Sequence, residues 1–387
     1  MMAITGRDEK HLGRIRLGMV GGGQGAFIGG VHRVASRLDD HYTLVAGAFS
    51  SDPERAKASG RELGLPEERC YGSFEEMAKR EKRLKDGIEA VSVVTPNHMH
   101  FPVAREFLKR GIHVICDKPL TTNLRDAKRL KDAAEKSGAT FAVTYNYTGY
   151  PMVRQARAMV EAGEIGEIRL VQVEYPQDWL TEEVHNKQAD WRTDPEMAGA
   201  GGCVGDIGTH AYHMACFVSG LQAESIAAEL STFVEGRRLD DNVQVMLRFT
   251  NGARGMLWAS QVAVGNENGL RFRIYGTKGG LEWEQENPNW LWHAPFGEPK
   301  RRITRGGAGA GDAAGRVSRI PAGHPEGYLE GFANIYSEVA QAILAARDGG
   351  KVDAAVSFPR IDDGVKGVAF IEACVKSSGR NAGWVSL

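Results

Sequence analysis

The sequence predicts an α/β chain in two parts: a doubly wound parallel sheet, then an α/β domain built on an open, largely antiparallel sheet. Three observations carry this. Short, nearly continuous apolar runs at 15–20, 43–49, 90–94, 112–116 and 140–144 alternate with helix-periodic stretches at 53–63, 100–110 and 123–137. Strands buried on both faces read this way when helices cover a parallel sheet. Beyond about residue 150 the pattern becomes longer alternating segments, at 168–175, 224–234, 242–250, 254–264, 270–275 and 280–284. That is the habit of an antiparallel sheet with one face left open or turned to a partner. A length of 387 residues also exceeds one ordinary domain. The boundaries fall at 14–147 and 148–387.

Within the second part a helix at 152–162 leads to Gly163, and Asn251-Gly252, a favoured pair for a two-residue hairpin turn, separates two strands. A late helix at 326–347 stops at Gly349-Gly350. The stretch 295–323, rich in Gly, Ala and Arg, lacks periodicity and reads as a mobile surface loop, the alternative being a lid or an arm to another subunit. The basic run Lys300-Arg301-Arg302 reads as part of that solvated loop. With 48 Lys+Arg against 49 Asp+Glu, the net charge of −1 gives no reason to expect nucleic acid or an anionic membrane as a partner. Five scattered cysteines without a C-x-x-C spacing argue against a disulfide framework and suit a reducing cytoplasm. The polar N-terminus has no apolar signal core, and no apolar stretch is long enough to span a bilayer. A cytoplasmic protein is expected.

Right-handed crossovers place every strand's carboxyl end on one edge of a parallel sheet, so the segments after strands 1, 3, 4 and 5 should crowd one rim, where ligands bind. After the first strand comes Gly21-Gly22-Gly23-Gln24-Gly25-Ala26, a G-x-G-x-x-A turn at the mouth of a helix. Such glycines let backbone approach a pyrophosphate, whose charge meets helix N-terminal amides. The acidic residue expected after the second strand, to hold a ribose, is replaced by Ser50. Ser50 with Arg55 suits the 2′-phosphate of NADP; Asp52 or main chain suits NAD. Both remain open, and Asp52-Pro53 also reads as a helix N-cap. Thr95-Pro96-Asn97-His98 would face the nicotinamide half, although it is equally a good turn and helix start. At Asp117-Lys118-Pro119 a lysine follows an apolar strand directly, where it can steady an alkoxide formed during hydride transfer, with Asp117 as its restraint. Asp206 and His210 lie four apart, on one face if helical; the histidine suits a general base and the carboxylate an orienting group. With His213 they could bind zinc, but the dinucleotide already supplies redox chemistry, so no metal is expected.

Together the turn at 21–26, AVSVVTPNH at 90–98, GIHVICDKPL at 111–120 and WRTDPEMAGAGGCVGDIGTH at 191–210 resemble the glucose–fructose oxidoreductase / inositol dehydrogenase / MocA (Gfo/Idh/MocA) family over nearly the whole chain. The resemblance implies a Rossmann domain followed by an α/β domain with an open antiparallel sheet that often builds dimers or tetramers. It implies that Lys118 is the catalytic lysine, Asp206 the orienting or substrate-binding carboxylate and His210 the proton-transferring histidine. Arg192, Tyr145 and Tyr147 are then candidate substrate contacts. Three departures stand out: Asp117 replaces the family's usual Glu, Phe27-Ile28-Gly29-Gly30 lengthens the turn before His32, and Ser50 replaces the common acid.

The function expected is NAD(P)-dependent hydride transfer to or from a secondary alcohol of a sugar, cyclitol or sugar derivative. A redox-neutral alternative is glycoside hydrolysis through a transient 3-keto sugar, with the cofactor regenerated in each cycle. A cofactor-binding regulator without catalysis is a third possibility, opposed by the presence together of Lys118, Asp206 and His210.

Overall fold

A computed structural model describes residues 13–387, apart from the Lys187 side chain. The first twelve residues, and with them the expectation drawn from the polar N-terminus, lie outside the described residues. The chain divides into two compact units. The first joins residues 13–144 with Phe332–Val365; the second joins Tyr145–Gly331 with Lys366–Leu387. The boundary near residue 147 read from sequence thus falls close to Tyr145, but one late segment returns to the first unit.

In the first unit, β1 (Ile15–Gly21), β2 (Tyr42–Ala48), β3 (Ala90–Val94), β4 (His113–Cys116) and β5 (Phe141–Val143) form a parallel sheet in the order β2-β1-β3-β4-β5. All five β3 residues are buried, as its unbroken apolar run requires. A lone parallel bridge from Gly47 to Cys70 stands where a further edge strand would extend the sheet. Counting it, the order is the 3-2-1-4-5-6 of a dinucleotide-binding sheet, which reverses between β1 and β3. The helices are α1 (Phe27–Leu38), α2 (Pro53–Glu62), α3 (Phe74–Glu81), α4 (His100–Leu108) and α5 (Leu124–Ser137). Asp52 caps α2 through the Arg55 amide at 2.9 Å, as its sequence suggests, and Asn123 caps α5 through the Asp126 amide. Phe27–Gly30 do not lengthen the turn, because they are the first turn of α1.

The returning segment docks through Tyr336. Its hydroxyl meets Ser92 Oγ at 2.6 Å and His32 Nδ1 at 2.8 Å, and its carbonyl accepts from the Tyr42 hydroxyl at 2.9 Å. Phe332 lies edge-on to His32, with ring centroids 5.1 Å apart. An apolar helix face announces that it will be buried, not against what.

In the second unit, nine strands order as β13-β12-β11-β10-β6-β9-β8-β7-β14. They are β6 (Ile168–Pro176), β7 (Ala223–Ser231), β8 (Asn242–Phe249), β9 (Arg254–Ser260), β10 (Arg271–Gly276), β11 (Gly279–Glu284), β12 (Trp290–Pro295), β13 (Arg301–Thr304) and β14 (Val385–Ser386). Every pairing is antiparallel except β6 with β9. The helices are α6 (Pro151–Glu161), α7 (Lys187–Arg192), α8 (Pro195–Ala198), α9 (Thr209–Ser219) and α10 (Asp312–Gly315); α11 (Tyr328–Arg347) and α12 (Ile361–Ser378) follow along the chain. Inward residues such as Val171, Val173, Val245, Leu247 and Phe272 share one core with Ala156, Met159, Ala211 and Met214 of α6 and α9. On the opposite face Leu170, Met246 and Met256 are exposed.

Two expectations need correction. Asn251-Gly252 lies in the β8–β9 connection, but the turn is longer than two residues: the Phe249 amide donates to the Ala253 carbonyl at 3.1 Å, with Gly252 at φ +88°. The stretch 295–323 is not a mobile loop. It contains β13 and α10, and it closes on a buried ion pair between Arg305 and Glu326, 3.0 Å apart. Arg305 also donates to the carbonyls of Ile320, Pro321 and His324. Irregular composition concealed an order that rests on long-range side-chain bonds.

Candidate active site

At the rim of the first unit the glycine turn joins β1 to α1. Gly21 takes φ +82°, and a Cβ there would lie 2.6 Å from the Val94 carbonyl oxygen and 3.0 Å from Thr95 Cγ2, so the ends of β1 and β3 touch. A Cβ on Gly29 would strike Gly22 Cα at 2.4 Å. Gly29, rather than Ala26, therefore provides the close helix–strand approach that the third small residue of such a fingerprint serves. A cleft of about 460 Å³ opens along the turn, lined by Gly22–Phe27, Arg33, Ser59, Glu62 and Leu63. The Gln24 amide donates to Ser59 Oγ at 3.1 Å, and Arg33 Nη1 donates to the Gly22 carbonyl at 2.7 Å. Ser50 Oγ accepts from the Asp52 amide at 3.1 Å, while the exposed Arg55 reaches the Gln24 carbonyl at 3.5 Å.

Thr95–His98 follows β3, with Asn97 buried and His98 exposed. Thr95 Oγ1 is buried without a hydrogen-bond partner among the described residues. Buried His100 ties this turn to the next: its ring nitrogens lie 3.0 Å from the Thr95 carbonyl and 2.7 Å from the Pro119 carbonyl. Burial, the largest influence, holds its pKa below the usual histidine value despite nearby Asp117. Asp117 Oδ1 accepts from the Lys118 amide at 2.9 Å and from Thr144 Oγ1 at 2.8 Å. The carboxylate thus fixes the main chain at Lys118, and Lys118 itself is half-buried. A turn that only glycine can occupy and an orphaned buried hydroxyl beside it fit a bound dinucleotide.

In the second unit Asp206 lies on Val204–Gly208, a π-helical turn that runs into α9 and so alters the regular i,i+4 geometry assumed for Asp206 and His210. Buried Asp240 holds the start of this turn: its carboxylate accepts from the amides of Gly202 at 2.6 Å and Val204 at 2.8 Å. Asp206 Oδ2 lies 3.3 Å from Arg192 Nε and accepts from Gln261 Nε2 at 2.9 Å. His210 is buried among tyrosines, its ring centroid 4.9 Å from Tyr147, 5.6 Å from Tyr145 and 6.2 Å from Tyr175. The Tyr147 hydroxyl bonds that of Tyr175, which donates to Asn268 Oδ1 at 2.8 Å. Burial raises the pKa of both phenols. The Tyr145 hydroxyl meets Thr209 Oγ1 at 2.9 Å while its ring stacks on His213 at 4.1 Å, so this pair frames α9. The structure thus brings Tyr145, Tyr147, Arg192, Asp206 and His210 together in one unit. The Gly21–Ala26 turn, Thr95, Asp117 and Lys118 share the rim of the other.

Residues 15–145 match the profile of an oxidoreductase family with an NAD-binding Rossmann fold, and residues 153–282 match the GFO/IDH/MocA C-terminal domain. An oxidoreductase structure from Sinorhizobium meliloti is 63% identical, covers 96% of this chain and 99% of its own, and superposes with a TM-score of 0.88. The chain belongs to the Gfo/Idh/MocA family. Within it, an inositol dehydrogenase homolog from Azotobacter vinelandii solved with NAD+ is 38% identical, covers 97% of this chain and 98% of its own, and has a TM-score of 0.94. The same homolog has been solved with NADH and myo-inositol. Levoglucosan dehydrogenase of Pseudarthrobacter phenanthrenivorans is 31% identical over 302 residues, 72% of this chain and 75% of its own. As a Gfo/Idh/MocA oxidoreductase the chain is an enzyme with a nicotinamide-dinucleotide domain. Gln261, Asp240, Tyr175 and Gly29, which the structure places against these candidate residues, carry no motif that marks them in the sequence. Only Gly29, in the first turn of α1, stood close enough to a motif to be found there.

Proposed function

We propose that this enzyme reversibly oxidises a secondary alcohol of a cyclitol or sugar. One observation carries the proposal. A buried histidine, His210, shares its unit with a carboxylate, Asp206, held on one oxygen by Arg192 and Gln261. Such a pair binds and deprotonates a hydroxyl. The co-structure of the Azotobacter homolog with myo-inositol and the levoglucosan relative support polyol chemistry.

In this reading Gly21, Gly22, Gly23, Gln24, Gly25 and Ala26 hold the pyrophosphate, Ser50 and Arg55 the adenosine side, and Thr95, Pro96, Asn97, His98 and Asp117 the nicotinamide side. Bound NAD(P) supplies the hydride acceptor. Lys118 donates to the substrate oxygen and steadies its negative charge as the proton leaves. His210 takes that proton on a ring nitrogen, and Asp206 accepts from a substrate hydroxyl to fix its orientation. Tyr145, Tyr147 and Arg192 shape the pocket. The aromatic wall around His210 keeps water from competing for the proton. A second copy of the chain, we further propose, covers the open face of the nine-stranded sheet.

The test follows coenzyme reduction over a panel that includes myo-inositol and levoglucosan, with NAD+ and NADP+ compared. Lys118→Ala and His210→Ala should each lower kcat by about 100-fold or more, with coenzyme binding retained. Wild-type-like turnover in both variants defeats the assignment. Release of an aglycone from glycosides without net coenzyme reduction moves it to redox-neutral cleavage.

A further inference from the structure

We propose that Gln261 is a positioning residue for the reaction: it fixes the carboxylate of Asp206, and through it the orientation of the substrate hydroxyl offered to His210. This rests on the polyol-oxidation reading above. Gln261 directly follows the last residue of β9 and is 3% exposed. Its main chain is clamped on both sides, the amide donating to the Asp241 carbonyl at 2.8 Å and the carbonyl accepting from the Leu180 amide at 3.1 Å. A side chain on so fixed a base has little freedom, and its amide nitrogen lies 2.9 Å from Asp206 Oδ2.

The surrounding polar groups form a frame. Asp240, two residues before β8, holds the π-helical turn by its start through the amides of Gly202 and Val204. Its neighbour Asp241 receives the amides of Phe233 and Val234 and pairs with Arg237 at 3.2 Å. β8 and β9 are hydrogen-bonded neighbours that pair Asn242 with Ser260. One end of a single strand pair therefore supports both the turn that carries Asp206 and the group that holds its carboxylate. Arg192 meets the same Oδ2 from α7 with a charge. Gln261 meets it with a neutral, directional donor on rigid strand ends, which sets angle where arginine sets mainly field.

The test is steady-state kinetics of the coenzyme-loaded enzyme on myo-inositol and levoglucosan from pH 5 to 9, with Gln261→Glu, Gln261→Ala and His210→Ala in parallel. Coenzyme titration and melting serve as fold checks. Gln261→Ala should lose on the order of 10- to 100-fold in kcat/KM at every pH, with coenzyme affinity unchanged. Gln261→Glu places a second carboxyl against Asp206, so the pair should hold a proton to higher pH than either alone. Its loss should be deepest at high pH and recover toward pH 5, where an O–H donor replaces the amide N–H. A merely structural glutamine would lower the melting temperature of both variants and leave the pH–rate profile of Gln261→Glu parallel to wild type. That outcome, or wild-type kcat/KM in Gln261→Ala, overturns the proposal. If His210→Ala also turns over normally, or the wild type oxidises no polyol, the parent reading has failed as well.

Discussion

Gly29 and Asp240 each show one atom group deciding a larger outcome. A methyl on Gly29 meets Gly22 Cα at 2.4 Å, backbone against backbone, and the turn must move outward to admit it. Gly29→Ala should therefore raise the coenzyme dissociation constant about tenfold or more, or ~1.4 kcal/mol, and lower the melting temperature as well, since a backbone clash of this kind costs about 1–3 kcal/mol. Equilibrium titration with NAD(H) and NADP(H) checks this, and unchanged affinity would show that the turn tolerates displacement. Asp240 concerns pH. Burial, the largest influence, pushes its carboxyl from 3.8 up to about 6, against the pull of two backbone amides. The folded state then holds the proton more tightly than the unfolded chain does. Its contribution to stability is thus complete below about pH 3.8 and is lost as pH rises through about 6. Asp240→Asn should flatten that part of the melting profile: wild type minus variant should be larger at pH 4.5 than at pH 7.5. A constant difference would deny the shift.

At the scale of elements, the segment after β12 rests on Arg305, which is 2% exposed. It pairs with Glu326, whose Oε1 also accepts from the amides of Arg319 and Ile320 at 2.7 and 3.0 Å. Removing Arg305 leaves buried Glu326 with Arg319, 3.7 Å away, as its remaining cation, so the loss falls at the lower end of that for a broken buried pair, about 3 kcal/mol. Arg305→Ala should lower the melting temperature sharply and expose 305–326 to proteolysis; a change of only a degree or two would place the order of this segment elsewhere. This network also marks where sequence stopped being informative. The strands of the parallel sheet were legible because burial on both faces writes an unbroken apolar run, and β8 because burial on one face writes an alternation. The Gly21 turn, Lys118 and His210 stand out in the sequence because each breaks a local pattern: a glycine run after a strand, a lysine directly after an apolar run, and a histidine four residues beyond a carboxylate. Nothing local marks Arg305 as buried, since its partner is twenty-one residues away and the intervening GGAGAGDAAG resembles a linker. Gln261 was silent for the same reason, being one glutamine whose meaning lies 55 residues upstream at Asp206. The π-helical turn at Val204–Gly208 also leaves no periodic trace, because a single wide turn is too short to shift a pattern.

For the whole molecule, a net charge of −1 on 387 residues leaves little long-range repulsion between copies. None of the described helices is long and apolar enough to cross a membrane, so the exposed apolar groups do not belong to a membrane-spanning helix. Three of them share the open sheet face, where Leu170, Met246 and Met256 are 48%, 52% and 61% exposed on the neighbouring strands β6, β8 and β9. Met246 and Met256 stand directly opposite one another in register. Toward the two sheet edges the aromatics carry cations, Arg248 lying 3.8 Å over Trp384 and Arg302 4.7 Å over Trp290. An apolar centre with a charged, aromatic rim is the composition of a protein–protein interface. A second copy satisfies both zones at once, because under a twofold axis each face meets itself. Met246→Lys with Met256→Lys puts four like charges into such a contact, two from each copy. Sedimentation velocity should then show the wild type as a dimer or larger and the double variant shifted toward monomer, with coenzyme affinity retained because the glycine turn lies in the other unit. An unchanged sedimentation coefficient would place self-association on another surface, and a monomeric wild type would end the proposal.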